Sequence, residues 1–300
     1  MGGEGSQTNE FSVAQQTHYS NPMPELPEVE TIAAGVHARV HGQRITRVWT
    51  SGKPQTFKSP EPEITAALTG SRIESVHRVG KTIVMTVHRD KTPVELLIHL
   101  GMTGRLLVSA PEIPLAPHTH AVLTLDDRRE VRFVDPRRFG RISLHAPQSP
   151  TGNLEPATYT GPGSEPLTIS LADFIALFHP RRTPIKAALL NQSLLHGIGN
   201  IYADESLFRA AIRPTRQAMR LTRAELARLR TSLVEVLRHA IRLGGSSVSD
   251  YVDADGARGF FQLEHRVYRR TGQPCFNCST PIRRIILAGR GTHFCPHCQR

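Results

Sequence analysis

All four cysteines of this 300-residue chain lie in its last 26 positions, spaced Cys275-x2-Cys278-x16-Cys295-x2-Cys298. Each C-x-x-C turn can aim two thiolates at one point, and two such turns close a tetrahedral S4 site of the kind that holds zinc. The competing readings are a pair of disulfides or incidental thiols. The first 22 residues carry neither the basic start nor the apolar run of a secretory signal, and no fifth cysteine is left over, so a reducing compartment and a metal are the better fit. Four protein ligands leave no open coordination position, which makes the expected single zinc ion structural. It would fold a two-stranded hairpin with Ala288-Gly289-Arg290-Gly291-Thr292 at its tip. Arg290, with Arg283 and Arg284 behind it, suits phosphate.

The rest of the chain divides by periodicity. At about 100–200 residues per domain, its length allows two domains and a small module. No apolar run approaches the ~18 residues that a membrane span needs. Residues 1–22 are aperiodic and polar, and read as a flexible tail. From Pro27, the residues Val29, Ile32, Ala33, Val36 and Val40 recur at helical spacing until Gly42. Residues 44–145 read mainly as strands: RITRVW, RIESVHRV, TIVMTVH, VELLIHL, RLLV, HAVLTL, EVRFV and RISLH are short, β-branched and punctuated by turn residues. Their spacing predicts a sandwich or flattened barrel over 23–146. A stretch dense in Pro, Gly and Ser (147–167) predicts a linker. LADFIALF, RTPIKAALLNQ, NIYADESLFRAA and TRAELARLRTSLVEVLRHAIRL then carry helical stripes, placing a helical domain over 168–262 and the zinc module over 263–300. The fold class is α+β, multidomain.

With 37 Lys and Arg against 26 Asp and Glu, a formal net charge of +11 points to a polyanionic partner. Only five of the basic residues are lysines. One of them, Lys81, follows Gly80 in a turn between two strand patterns. It is either a solvated turn residue or a phosphate-binding or catalytic group.

The segment Met23-Pro24-Glu25-Leu26-Pro27-Glu28-Val29-Glu30 is unusual. Read plainly, it is a helix start, with acids near the positive end of the dipole and proline in the first turn. If translation begins at Met23 and the methionine is removed, Pro24 becomes a free secondary amine. Such an amine attacks an aldehyde carbon and gives an iminium ion, an electron sink for a neighbouring elimination. An α-amino group has a pKa of about 7.7–8.0 against about 10.4 for lysine, so far more of it is neutral near pH 7. Glu25, the next residue, is placed to move protons.

PELPEVE (24–30) resembles the amino terminus of the formamidopyrimidine-DNA glycosylase family, bacterial enzymes of 8-oxoguanine repair. The other blocks follow in that family's order: Gly80-Lys81, HLGMTG (99–104), DPRRFG (135–140), IKAALLNQ (185–192), GIGNIYADES (197–206) and the zinc hairpin with Arg290. The resemblance runs from Met23 to Arg300. It implies an N-terminal β-sandwich flanked by helices, a C-terminal helix–two-turn–helix domain, and a zinc-finger hairpin on Cys275, Cys278, Cys295 and Cys298. It implies a bifunctional glycosylase and AP lyase of base excision repair that excises oxidised purines.

In that reading Pro24 is the Schiff-base nucleophile and Glu25 the proton donor that opens the sugar. Lys81 assists β-elimination, and Arg290 the second, δ, elimination. Met102, Arg137 and Phe139 form a wedge that fills the space of a flipped nucleotide, which chemistry on a base inside a duplex requires; on their own, Met102 and Phe139 could equally be core residues at strand ends. Asn200, in a glycine-rich turn, would contact phosphate at a helix N-terminus, or simply cap that helix. His118, Arg182 and Lys186 match further DNA contacts, and residues 246–262 match the loop that covers the lesion. The partner is double-stranded DNA bearing oxidised purines or abasic sites, met by a monomer in the bacterial cytoplasm at the nucleoid.

The departure from the family is the extension, residues 1–22. Retained, it turns the Pro24 nitrogen into a tertiary amide that cannot form a Schiff base; the expectation is a start-site artefact. The alternatives are a non-catalytic binder of damaged DNA if the extension is kept, a glycosylase of the endonuclease VIII type for oxidised pyrimidines, and a zinc-stabilised RNA-binding protein. The last leaves PELPEVE unexplained.

Overall fold

The computed structural model describes residues 23–89, 92–145, 158–247 and 254–300. The expected extension (1–22), the greater part of the expected linker (147–157) and the middle of the 246–262 loop (248–253) lie outside the described residues.

Helix α1 (Leu26–Val40) begins where the sequence pattern places it, with Pro27 in the first turn and the Glu28 carboxylate accepting the Glu25 N–H at 2.9 Å. Its striped face (Val29, Ile32, Ala33, Val36, Val40) is buried, against strands of the sandwich on one side and a long C-terminal helix on the other. Eight strands follow: β1 (Ile45–Thr50), β2 (Arg72–Val79), β3 (Thr82–Arg89), β4 (Thr92–His99), β5 (Arg105–Ser109), β6 (Thr119–Leu125), β7 (Glu130–Val134) and β8 (Arg141–His145). They form two four-stranded antiparallel sheets, ordered β1-β6-β7-β5 and β2-β3-β4-β8. The alternating apolar positions of both sheets, among them Ile73, Met85, Leu96, Leu123 and Phe133, fill the space between them. This is a sandwich. Gly80 turns β2 into β3 with φ +63, the left-handed value that a two-residue hairpin needs at its first central position and that glycine adopts without strain.

A helix absent from the sequence reading, α2 (Glu61–Leu68), sits among the strands and buries Ile64 and Leu68. The C-terminal half is helical: α3 (Leu171–Phe178), α4 (Ile185–Leu189), α5 (Asn200–Arg209) and α6 (Arg223–Arg242). RTPIKAALLNQ yields only the five-residue α4, because Pro184 stands at its N-cap. These helices share a core centred on Phe174, Tyr202, Leu229 and Leu233, and Leu26 of α1 belongs to it. The first residues of α1 therefore join the two halves. The hairpin of β9 (Arg283–Leu287) and β10 (Arg290–Phe294) completes the fold. Its turn is Ala288-Gly289, both at positive φ, so Arg290 is the first residue of β10 rather than the middle of a longer tip.

Candidate active site

Glu25 lies at the junction of the halves. It precedes α1, is 2% exposed, and turns its carboxylate onto the N-terminus of α5, accepting from the Ile201 N–H at 2.9 Å and the Tyr202 N–H at 3.3 Å. The residue before α5 is Gly199, which offers that helix no capping side chain, so Glu25 satisfies N–H groups that a cap would otherwise take. The arrangement requires glycine: a Cβ on Gly199 would stand 2.3 Å from Glu25 Cδ.

Glu28 lies behind Glu25, fully buried, accepting from the Tyr202 hydroxyl and from the Ser246 N–H. Burial, then the charge of Glu25, pushes its carboxyl up to about 7. Burial also raises Glu25, against the opposing pull of Lys81 and three backbone N–H groups. Burial lowers the Lys81 ammonium, while Glu25 and Glu28 pull it back up. The three groups act on one another electrostatically: the Lys81 charge opposes the rise of Glu25, and both carboxylates oppose the fall of Lys81.

Glu25, Lys81, Met102, Asn200 and Arg290 line a single cleft of about 620 Å³ between the sandwich, α5 and the hairpin. Pro24, buried, stands between Met23 and Glu25, which both border it. A second depression of about 650 Å³ continues the cleft past Met102 to Phe139 and Arg141. Phe139 is 48% exposed, with the Arg137 guanidinium 4.6 Å from its ring centroid. The loop that carries them is pinned by buried Asp135, whose carboxylate accepts from Thr103 Oγ1 at 2.5 Å and Gly140 N at 2.7 Å. Thr103 belongs to the Met102 turn, so Asp135 fixes both loops together, with Phe139 exposed and Met102 half-buried.

His118 is exposed and lies beside this loop, its carbonyl accepting the Asp135 N–H at 3.0 Å. Arg182 is exposed ahead of α4. Lys186 has a different placement from the expected DNA contact. It is fully buried, its ammonium 2.7 Å from Asp204, 2.8 Å from the Gly291 carbonyl and 2.9 Å from Thr292 Oγ1. A buried lysine needs a paired carboxylate, and Asp204 supplies one. Asn200, half-buried at the edge of the cleft, donates its Nδ2 N–H to the Gly291 carbonyl at 2.9 Å. The N–H groups expected to meet phosphate at the start of α5 are turned to Glu25 instead.

Sequence reasoning missed the residues that hold these groups in place. Asp204 accepts the His293 N–H as well as the Lys186 ammonium, and Glu205 accepts from the N–H groups of Arg266, Val267 and Tyr268 at 2.8–3.0 Å. A signal was present: two adjacent acids in the middle of a helix, with Ile201, Tyr202 and Ala203 before them and Leu207 and Phe208 after. Glu165 accepts from Arg78 and His196, and Arg78 also reaches Glu30; no sequence signal marks that cluster.

The four cysteine Sγ atoms lie within 4.8 Å of one another, with Sγ–Sγ separations of 3.4 to 3.9 Å among the closer pairs. Tetrahedral ligands about 2.3 Å from zinc stand roughly 3.8 Å apart, so the set fits one structural zinc ion. Among the described residues no helix is long and apolar enough to cross a membrane.

Comparison with known proteins gives three family matches in chain order: the formamidopyrimidine-DNA glycosylase N-terminal domain over residues 23–142, the formamidopyrimidine-DNA glycosylase H2TH domain over 161–252, and a zinc finger found in FPG and IleRS over 272–300. Formamidopyrimidine-DNA glycosylase of Solibacter usitatus is 46% identical over 279 residues, covering 93% of this chain and all of that protein. Among solved structures, a mutant FPG of Lactococcus lactis in complex with DNA containing Fapy-dG superposes with a TM-score of 0.81 at 32% identity, over 92% of this chain and 100% of that one. MutM (FPG) of Thermus thermophilus gives 0.78 at 41% identity, over 92% and 98%.

Proposed function

This chain belongs to the formamidopyrimidine-DNA glycosylase family, DNA glycosylases and AP lyases of base excision repair, and from that premise we propose that it excises oxidised purines from duplex DNA through the Pro24 amine. The observation that carries the reading is the placement of Glu25 by the start of α5, next to Pro24, in the cleft that Lys81 and Arg290 also line.

The neutral Pro24 nitrogen attacks C1′ of the flipped nucleotide as the glycosidic bond breaks and the damaged base leaves with its electron pair. Glu25 delivers a proton to the ring oxygen, the sugar opens, and C1′ and Pro24 share an iminium ion. Loss of a C2′ proton into that electron sink expels the 3′ phosphate, with Lys81 beside the departing charge. A second elimination, near Arg290, expels the 5′ phosphate, and water returns the amine. Exposed Phe139 and Arg137, with half-buried Met102, occupy the gap that the flipped nucleotide leaves in the stack. The zinc ion has no part in the chemistry and shapes the hairpin that carries Arg290. The active form starts at Pro24, because an acylated Pro24 nitrogen has no lone pair to offer. We place the reaction on chromosomal DNA in the cytoplasm, carried out by a monomer.

Borohydride trapping on duplex DNA with 8-oxoguanine opposite cytosine tests this, comparing protein started at Met23 with protein started at Met1. The expected result is a reduced crosslink mapped to Pro24 in the shorter form only. A folded, zinc-loaded shorter form that binds the duplex and gives no crosslink would overturn the mechanism.

A further inference from the structure

At the end of the β2–β3 hairpin remote from Lys81, the backbone register gathers a row of basic side chains. Arg44 forms an antiparallel bridge with Arg72, and Arg72 pairs with His88 across β2 and β3. Directly opposed residues of antiparallel strands project from the same face, where like charges repel. Arg89 follows His88, and these four with Gly70 line a surface pocket of about 450 Å³. Arg44, Arg72 and Arg89 are all exposed, and none of the three pairs with a carboxylate of the described residues. The acid at hand, Glu74, is engaged by His88.

The guanidinium groups are held by the backbone. One Nη1 of each donates to a carbonyl: Arg44 to Gly70 at 2.6 Å, Arg72 to Gly42 at 2.5 Å, and Arg89 to Ala66 at 3.3 Å. Each fork keeps its remaining N–H groups for a ligand, and the pinning removes part of the entropy that ordering an arginine would cost. Planar forks set in fixed positions, paired with no carboxylate of the described residues, match the oxygens of a phosphate group.

We propose that this pocket is a second DNA-phosphate site, which takes the backbone of a duplex other than the one held in the cleft. The hairpin's eight-residue strands put it roughly 23 Å from the Lys81 turn at about 3.3 Å per residue, on the far end of the sheet. A protein that touches two duplexes at once passes between them without dissociating fully, so an incoming duplex speeds release of the bound one. The inference rests on DNA as the partner of this chain.

The test uses the zinc-loaded full chain bound to a labelled duplex just long enough to fill the cleft. Release is followed while unlabelled duplex is added at constant ionic strength. The wild-type release rate should rise with the concentration of unlabelled duplex. In Arg44→Gln/Arg72→Gln/Arg89→Gln it should be independent of it, with affinity for the labelled duplex within about twofold, as expected for sites well separated from the cleft. Arg89→Gln alone removes a single 3.3 Å bond, keeps the fold, and should give an intermediate slope. A wild-type rate that ignores added duplex, or equal acceleration in the variants, overturns the proposal. Acceleration by inorganic phosphate alone at matched ionic strength overturns it too, since the site would then take free anions rather than DNA. Failure of the labelled duplex to bind at all would count against the repair function itself, and is read before any competitor is added.

Discussion

Gly199 sits at φ −129, a conformation open to any residue, so its requirement for glycine comes wholly from the neighbouring side chain. Glu25 Cδ lies where a Cβ would intrude. Gly199→Ala should therefore fold normally and misplace the Glu25 carboxylate, and a displacement near 1 Å can cost on the order of 10²-fold in rate. Single-turnover release of 8-oxoguanine measures this; a variant as fast as wild type would mean that Glu25 does not need its seat on α5. The dependence was legible only in part from sequence. PELPEVE marks Pro24 and Glu25 as unusual, and Gly80-Lys81 marks a turn. Nothing in the order of residues says that Glu25 meets an amide 176 positions away, because hydrogen bonds between distant segments leave no periodicity.

Among the elements, β1 to β8 and the helices α1, α3, α4, α5 and α6 follow from alternation and helical stripes, which report burial directly. Helix α2 escaped that reading although Pro62 and the acids Glu61 and Glu63 occupy its first turn, the same signals that reveal α1; a single turn or two inside a run of strands is too short for a stripe to stand out. Lys186, expected as a DNA contact from the resemblance alone, is instead buried, because nothing local in the sequence marks which lysine pairs with Asp204. Its burial between α4, Asp204 of α5 and the β10 backbone makes it a clasp for the hairpin. Lys186→Met should leave Asp204 buried without its partner, at a cost of about 3–5 kcal/mol in urea unfolding. The logarithmic salt slope of DNA binding should stay unchanged. A phosphate contact would instead lower that slope by about one, and the two readouts together separate clasp from contact.

Across the whole molecule, the halves are joined by ions as well as by Leu26. Burial raises the Glu165 carboxyl, but hydrogen bonds from His196 and Arg78, with the charge of Arg78, overcome it and hold it at about 2, below the usual 4.5. A depressed carboxylate stabilises the fold at any pH above its unfolded value, and that contribution drains away as pH falls from about 4.5 through 2. At about 1.4 kcal/mol per unit it amounts to roughly 3 kcal/mol at most. Glu165→Gln should lose stability at pH 7 and flatten the acid limb between pH 4.5 and 2, seen in denaturant midpoints measured across that range; an unaltered acid limb would assign the dependence to other groups. The seat of Glu25 on α5 has a further consequence for a molecule that cuts chromosomes. The proposed acid belongs to one half of the fold and the amides that aim it belong to the other, so in the proposed mechanism a chain whose halves have not docked would hold the proposed nucleophile, Pro24, without a directed proton donor. Under the proposed mechanism the joint is a safety interlock: the blade is armed only when the whole body has closed around it.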